Sequence, residues 1–426
     1  MKALFSNRNF KIHWLSGAIA QTGNFFTIVA LPWLVLSITG NNAVLMATVL
    51  AMVALPQGLF ILFGGAIVDR ISPYKTIVVS RFFLCFLMAT LAIFVYFNIV
   101  PLWLIYLYAF LLGCLGAIGL PAAQSMLPSI VEPENLGHAN GIVIGTLYLA
   151  QVAGPVLAGW LMWLGGQSEI ENSLRGISLA FFVDAAAMLI ALLLFQLIRV
   201  APQKPVEQSV VRLIAHGLKF CWRDEGMRFV LTYIVLISFF VHGPITAGLP
   251  MLAKAKLMLS EAEYGSLYAM TGLGTVLGAG LAMAFSPSPK ILGAAVLVAD
   301  SIVGLCLALL GMADNVYLAS LFILIMGISG GVVMTAGTTW FQQRTPDEYM
   351  GRVMSVLTFA VLGLIPVSAT LSGYIMEISS VSRLMAGTGL TVTAIAVAGL
   401  FIPRIRNMGV IDPPARFPKA EIQAAQ

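Results

Sequence analysis

Residues 141–159, GIVIGTLYLAQVAGPVLAG, carry four glycines, three alanines and one proline in an otherwise apolar run. In water this composition argues against a helix, because glycine costs about 1 kcal/mol and proline about 3 kcal/mol relative to alanine. Inside a bilayer the argument reverses. No water is present to satisfy the backbone, so the chain must be helical. Small residues at four-residue spacing then let a second helix approach closely, where no hydrophobic force drives association. At about 100° per residue, Ala150, Gly154 and Ala158 form one stripe, and Gly141, Gly145 and Gly159 share another face. Pro155 removes a backbone donor and kinks the rod. The stretch reads as a membrane helix built to be gripped tightly and bent.

The remainder of the chain agrees. Its 426 residues are 59% hydrophobic and 10% charged, with a mean hydropathy of +0.95, whereas a soluble domain is about 25% charged. Apolar runs long enough to span a core of about 30 Å recur at 12–36, 43–68, 76–97, 101–125, 139–164, 177–198, 229–252, 264–285, 290–311, 316–339, 352–375 and 382–402. The expected fold class is an all-α membrane protein with twelve transmembrane helices.

Charge distribution sets the orientation. With the N-terminus in the cytoplasm, only Arg175, Lys254, Lys256 and Arg383 of the 23 basic residues fall outside. This positive-inside bias predicts that both termini are cytoplasmic and that the protein is a multi-pass protein of the cytoplasmic membrane. The net charge of +5 orients the chain in the bilayer and speaks for no nucleic-acid partner. The first apolar run lacks a small-residue cleavage site and reads as an uncleaved span. Cys85, Cys114, Cys221 and Cys306 form no closely spaced pair, and His13, His138, His216 and His242 are scattered. No metal, no cofactor and no enzymatic activity are therefore expected. The glycines of GLGTVLGAG (272–280) have dinucleotide-like spacing, but no strand precedes them and they sit inside a span. A phosphate-binding loop is absent too, which leaves an ion gradient as the energy source.

Two halves are expected. A polar interval separates six spans from six, giving a first bundle over 1–198, a cytoplasmic linker over 199–228, a second bundle over 229–403 and a cytoplasmic tail over 404–426. Within the linker, Arg212, His216, Lys219 and Arg223 share one face of a short amphipathic helix, a pattern suited to an anionic membrane surface. ISPYK (71–75) and SPSPK (286–290) place Lys75 and Lys290 215 positions apart, and Pro133 and Pro346 in the loops before spans 5 and 11 differ by 213. A shared offset near half the length points to duplication.

The opening stretch resembles the antiporter signature of the major facilitator superfamily, G-x8-G-x3-GP-x2-GG, as Gly141, Ala150, Gly154, Pro155, Ala158 and Gly159. GGAIVDRISPYK resembles the same superfamily's loop between spans 2 and 3 through Gly65, Asp69 and Arg70, and departs from it at Ser72, Pro73 and Tyr74. ALPWLVLSITGN (30–41), GLPAAQSMLPSIV (119–131), FFVDAAAML (181–189) and QRTPDEYMGRVMS (343–355) are similar to its drug:proton antiporter branch, which includes macrolide and enterobactin exporters. The resemblance implies a central cavity lined by spans 1, 4, 7 and 10, with 3, 6, 9 and 12 at the periphery, and gating roles for the residues of both signatures. It implies export of a bulky organic solute, drug or macrolide-like, by proton antiport with alternating access. A siderophore exporter of the same fold is the nearest alternative, and a proton-coupled siderophore or metabolite importer a more distant one. The expected partners are the small-molecule substrate, protons and the lipid bilayer, with the protein a monomer. Where relatives carry Gly-Asp in mid-span 1, this chain has Gly23-Asn24.

Acids within a span are functional suspects because they are costly there. Asp300 in mid-span 9 lies deepest and ranks first as a proton carrier, His242 in span 7 second, and Asp184 third because its position nearer the outer surface lets it meet water. Gln21, Asn24, Phe25, Phe26, Tyr148, Gln151, His242, Met334, Thr335 and Phe359 are the expected substrate-binding residues, polar or aromatic groups on or near the cavity helices.

Overall fold

The structure is a computed structural model that describes residues 2–166, 174–198, 218–285, 291–346 and 349–407, without the side chains of 2, 3, 61–71, 120, 133, 351, 404 and 405. Arg212 and His216 of the linker lie outside the described residues, as do the side chains of Gly65, Asp69 and Arg70.

Among the described residues, twelve segments are long and apolar enough to cross a membrane. They are Arg8–Ile38 (span 1), Ala43–Ile71 (span 2), Pro73–Tyr96 (span 3), Leu102–Met126 (span 4), Leu136–Gly166 (span 5), Leu174–Phe195 (span 6), Glu225–Met251 (span 7), Glu261–Phe285 (span 8), Leu292–Leu310 (span 9), Val316–Arg344 (span 10), a pair of helices Met350–Leu362 and Ile365–Ile378 (span 11) and Val381–Leu400 (span 12). Twelve crossings return the chain to the face on which it began, here called the terminal face; the opposite one is the far face.

Some helix starts are capped by short polar side chains, which satisfy orphaned first-turn donors. Asn7 accepts from the Phe10 amide, Asp224 from Met227 and Asn315 from Leu318. Ser72, between spans 2 and 3, has φ +110°, the left-handed region that glycine adopts at no cost. The serine therefore holds a strained backbone at the point where the loop resemblance departs from glycine.

Each half repeats one packing scheme. Span 1 packs on spans 5 and 6, span 2 on span 4 and span 3 on span 6; span 7 packs on spans 11 and 12, span 8 on span 10 and span 9 on span 12. These principal pairings of the first half recur six spans later, as duplication requires. Between the halves, span 5 packs on span 8 and span 2 on span 11.

The glycines of span 5 divide between these contacts. A Cβ on Gly154 would stand 2.6 Å from Phe25 Cβ, so this glycine seats span 1 within its own half. A Cβ on Gly159 would stand 2.9 Å from Gly265 Cα, so that glycine seats span 8 of the other half. On the opposite seam Gly58 meets Gly363, and Gly373 admits Ala43 and Ala47. Gly141 and Gly145, nearer the terminal face, have nothing within 4 Å of such a Cβ. The halves thus close against each other toward the far face and part toward the terminal face.

Two substitutions separate these contacts. Gly154→Leu overpacks one half, a class of change that costs about 1–3 kcal/mol, and should abolish transport while membrane insertion persists; wild-type transport in this variant would refute the packing account. Gly159→Leu should instead hold the far face apart, seen as longer spin-label distances between the halves there, whereas unchanged distances would show that the contact does not set the closed state.

Candidate functional site: a cleft between two six-helix halves

Spans 1, 4, 7 and 10 and their neighbours 2, 5, 8 and 11 carry no Asp, Glu, Lys or Arg over 12–38, 102–126, 229–251, 316–343, 43–68, 139–166, 264–285 and 353–376. The opening between the halves is therefore walled at membrane depth by uncharged groups. Asn24 and Met334 are exposed and Gln21, Tyr148 and Thr335 half-buried. Phe359 stands at the crossing of spans 2 and 11, in a cavity of about 140 Å³ shared with Gln57 and Thr358. Gln57 was not singled out in the sequence, where one glutamine in an apolar run gives no pattern.

Other expected binding residues are used for packing in this conformer. Phe25 is buried against Gly154, and Phe26 is buried among spans 1 and 6 with Val183 and Ala187. Gln151 seats against Gly272 of span 8, where a Cβ on the glycine would meet its Cγ at 2.9 Å. His242 Nδ1 is buried without a hydrogen-bond partner, beside the bend at Pro244. There, Ser368 Oγ of span 11 donates to Phe239 O, next to the Phe240 carbonyl that Pro244 leaves without its helical donor.

The membrane acids lie inside the halves, away from the cleft. Asp184 is 2% exposed, its Oδ2 accepts from Thr27 Oγ1 of span 1 at 2.5 Å, and its Oδ1 is buried without a partner. The expectation that Asp184 meets water does not hold: Gly23 presents only backbone there, which lets span 6 press its carboxyl into span 1. Asp300 is buried too, and Tyr233 of span 7 donates its hydroxyl to Oδ2 at 2.7 Å. Although spans 6 and 9 are peripheral, both carboxyls thus reach a central span. Arg81 of span 3, nominally a span-end cation, is buried in the first half, donating to Ala191 O at 3.0 Å over the Phe195 ring.

Chemistry at the terminal face, between spans 6 and 7, is quiet. Burial pushes the Cys221 thiol up to about 11, with the Asp224 carboxylate adding to the shift, so it is not a thiolate at neutral pH. Asp224 pairs with Arg344 at 3.0 Å, tying the start of span 7 to the end of span 10.

Sequence reasoning also missed a cluster at the far face. Lys254 and Lys256, expected as loop cations, belong to a π-helical turn, Leu252–Lys256, that prolongs span 7. Lys254 Nζ donates to Trp33 O of span 1 at 3.3 Å and to Ser37 Oγ, and sits 4.7 Å from the Trp33 ring centroid. Trp33 Nε1 donates to Glu261 Oε1 at 3.0 Å, and the indole stacks on Tyr264 at 5.1 Å. All of these contacts join the two halves.

Residues 14–367 match the family model described as Major Facilitator Superfamily. The chain is 25% identical over 408 residues to the multidrug efflux pump Tap of Mycolicibacterium fortuitum, covering 93% of this chain and 96% of Tap. It is 23% identical over 398 residues to the staphyloferrin A transporter of Staphylococcus aureus, covering 92% and 96%. A crystal structure of a POT family transporter in complex with 5-aminolevulinic acid superposes with TM-score 0.75 at 12% identity over 94% of this chain and 97% of that one, a likeness of fold. Two six-helix repeats around an uncharged cleft, with a match over most of the length, place this chain in the Major Facilitator Superfamily as a membrane transporter and not an enzyme.

Proposed function

We propose that the protein exports a bulky, amphipathic organic solute of the drug type across the cytoplasmic membrane by proton antiport. The terminal face is cytoplasmic in this reading, so the conformer described is open inward. The observation that carries it is the absence of any fixed charge at membrane depth on the eight helices around the cleft. Such walls bind by apolar area and a few hydrogen bonds, here from groups such as Asn24, Gln21 and Gln57. The likeness to Tap supports efflux of drug-type solutes. Export of a siderophore is the second reading, favoured by the likeness to the staphyloferrin A transporter. An anionic chelator, however, would find no Lys or Arg at depth in the cleft to offset its desolvation.

Alternating access moves one rigid half against the other around a fixed site. The Asp69–Arg70 pair and the glycines Gly141 and Gly145, which approach nothing in this conformer, serve the opposite state, in which the inward side closes. Asp300 and Asp184 are the proposed proton carriers: each accepts from a hydroxyl on a central span, so a change of protonation alters a bond to a helix that lines the cleft. His242, at the bend of span 7, is the third.

Proteoliposomes with the protein oriented inward-out should show proton movement upon addition of lipophilic drugs and none with anionic siderophores; the reverse pattern would establish the second reading. Asp300→Asn, Asp184→Asn and His242→Gln should each be assayed for uphill accumulation and for downhill exchange. Loss of the first with retention of the second identifies a carrier. Unchanged accumulation and pH dependence in all three would remove these residues from the coupling.

A further inference from the structure

Span 2 crosses span 11 at two glycines, a Cβ on Gly58 standing 3.6 Å from Gly363 Cα. Beside that crossing lies a cavity of about 140 Å³, walled by Ala54, Gln57 and Gly58 from the first half and by Thr358, Phe359 and Gly363 from the second. Gln57 stands midway along Ala43–Ile71, and its side chain is the only hydrogen-bonding one of that span between Val49 and Val68. It is half-buried, and among the described residues its amide forms no hydrogen bond. Gly116 of span 4 leaves it room, since a Cβ there would stand 3.7 Å from Nε2. The Thr358 hydroxyl donates to Met354 O at 2.9 Å, which leaves its oxygen as an acceptor. The Phe359 ring lies back over Gly363, where a Cβ would come within 2.8 Å of Cε2. A glycine at that position therefore sets how the ring faces the cavity.

We infer that this cavity is a subsite for one phenol-type ring of the transported solute, an uncharged aromatic ring that bears a hydroxyl. This rests on the export reading and names the chemical group that the cleft selects. The size argues for a single ring, because an apolar cavity of about 150 Å³ holds benzene. Phe359 supplies an aromatic wall for edge-on or offset packing. The amide argues for the hydroxyl. A purely apolar group in the cavity would part the Gln57 amide from water and offer it nothing in return, which is costly. A hydroxyl both donates and accepts, so it satisfies the amide whichever way the amide is turned, and it can donate to Thr358 Oγ1. A charged group would find no counter-ion at membrane depth on the eight helices around the cleft, and is disfavoured there. The two walls belong to different halves, so the movement that alternates access also alters the grip on the ring.

The test uses the full chain in lipid nanodiscs with 4-fluorophenylalanine in place of Phe359, so that the fluorine resonance reports on the cavity directly. The probes are 4-benzylphenol and diphenylmethane, which differ by one hydroxyl, compared at equal mole fractions in the lipid. 4-Benzylphenol should shift the resonance saturably and bind roughly tenfold more tightly than diphenylmethane, the worth of a hydrogen bond to a group otherwise left unpaired. Gln57→Leu should bring 4-benzylphenol down to the level of diphenylmethane without weakening diphenylmethane itself. Gly363→Ala should push the ring into the cavity and weaken both probes. An unmoved resonance, equal affinities for the two probes, or a preference that survives Gln57→Leu overturns the inference. Should a variant not fold, the two probes on the otherwise unaltered chain decide. Drug-driven proton movement in proteoliposomes tests the export reading separately. Its persistence beside a silent resonance removes the subsite alone, and its absence beside an intact probe preference removes the export reading alone.

Discussion

The backbones of spans 5 and 8 touch at Gly159 and Gly265, where a Cβ on either would stand 2.9 Å from the other's Cα. Lipid is as apolar as leucine, so the halves gain nothing by hiding apolar surface from it; they gain by close packing and by polar contacts across the seam. The glycine contact brings span 8 near enough for Glu261, one turn before Gly265, to accept a hydrogen bond from the Trp33 indole N–H. The stacking of Trp33 on Tyr264 and the docking of Lys254 on span 1 depend on the same approach.

The cost of buried charge explains where the remaining polar groups lie. Asp184 is held by Thr27, Asp300 by Tyr233, and Arg81 by the Ala191 carbonyl and the Phe195 ring. Each is enclosed within one half, and each ties a peripheral span to a neighbour in that half. Charge at membrane depth thus stays out of the cleft, where it would have to be desolvated by each passing substrate. Among the described residues, the seam between the halves is made of glycines, apolar side chains, uncharged polar groups such as Gln151 and a polar cluster at the far face.

Span 11 shows how local chemistry and assembly combine. Gly363 and Leu364 interrupt it, and Pro366 opens its second helix. The break falls where Gly58 of span 2 crosses, so a weak point in one helix coincides with the crossing of the other seam. In span 7, Ser368 of span 11 donates to a carbonyl beside the Pro244 bend.

Sequence alone determined the twelve spans, the two-fold repeat and the uncharged character of the cleft helices. These follow from composition and from a bilayer that allows only helices with satisfied backbones, and both constraints act locally. It also determined that span 5 is a packing helix, but not which glycine meets which partner. Only the tertiary structure decided that Gly154 receives Phe25 and Gly159 receives Gly265, that Asp184 is sealed from water, that Phe25 and Phe26 pack inside the first half, and that Lys254 leaves the loop to grip Trp33. The reason is that these helices are apolar on nearly every face. Their periodicity does not specify how each is rotated about its axis, and contacts between distant segments depend on that rotation.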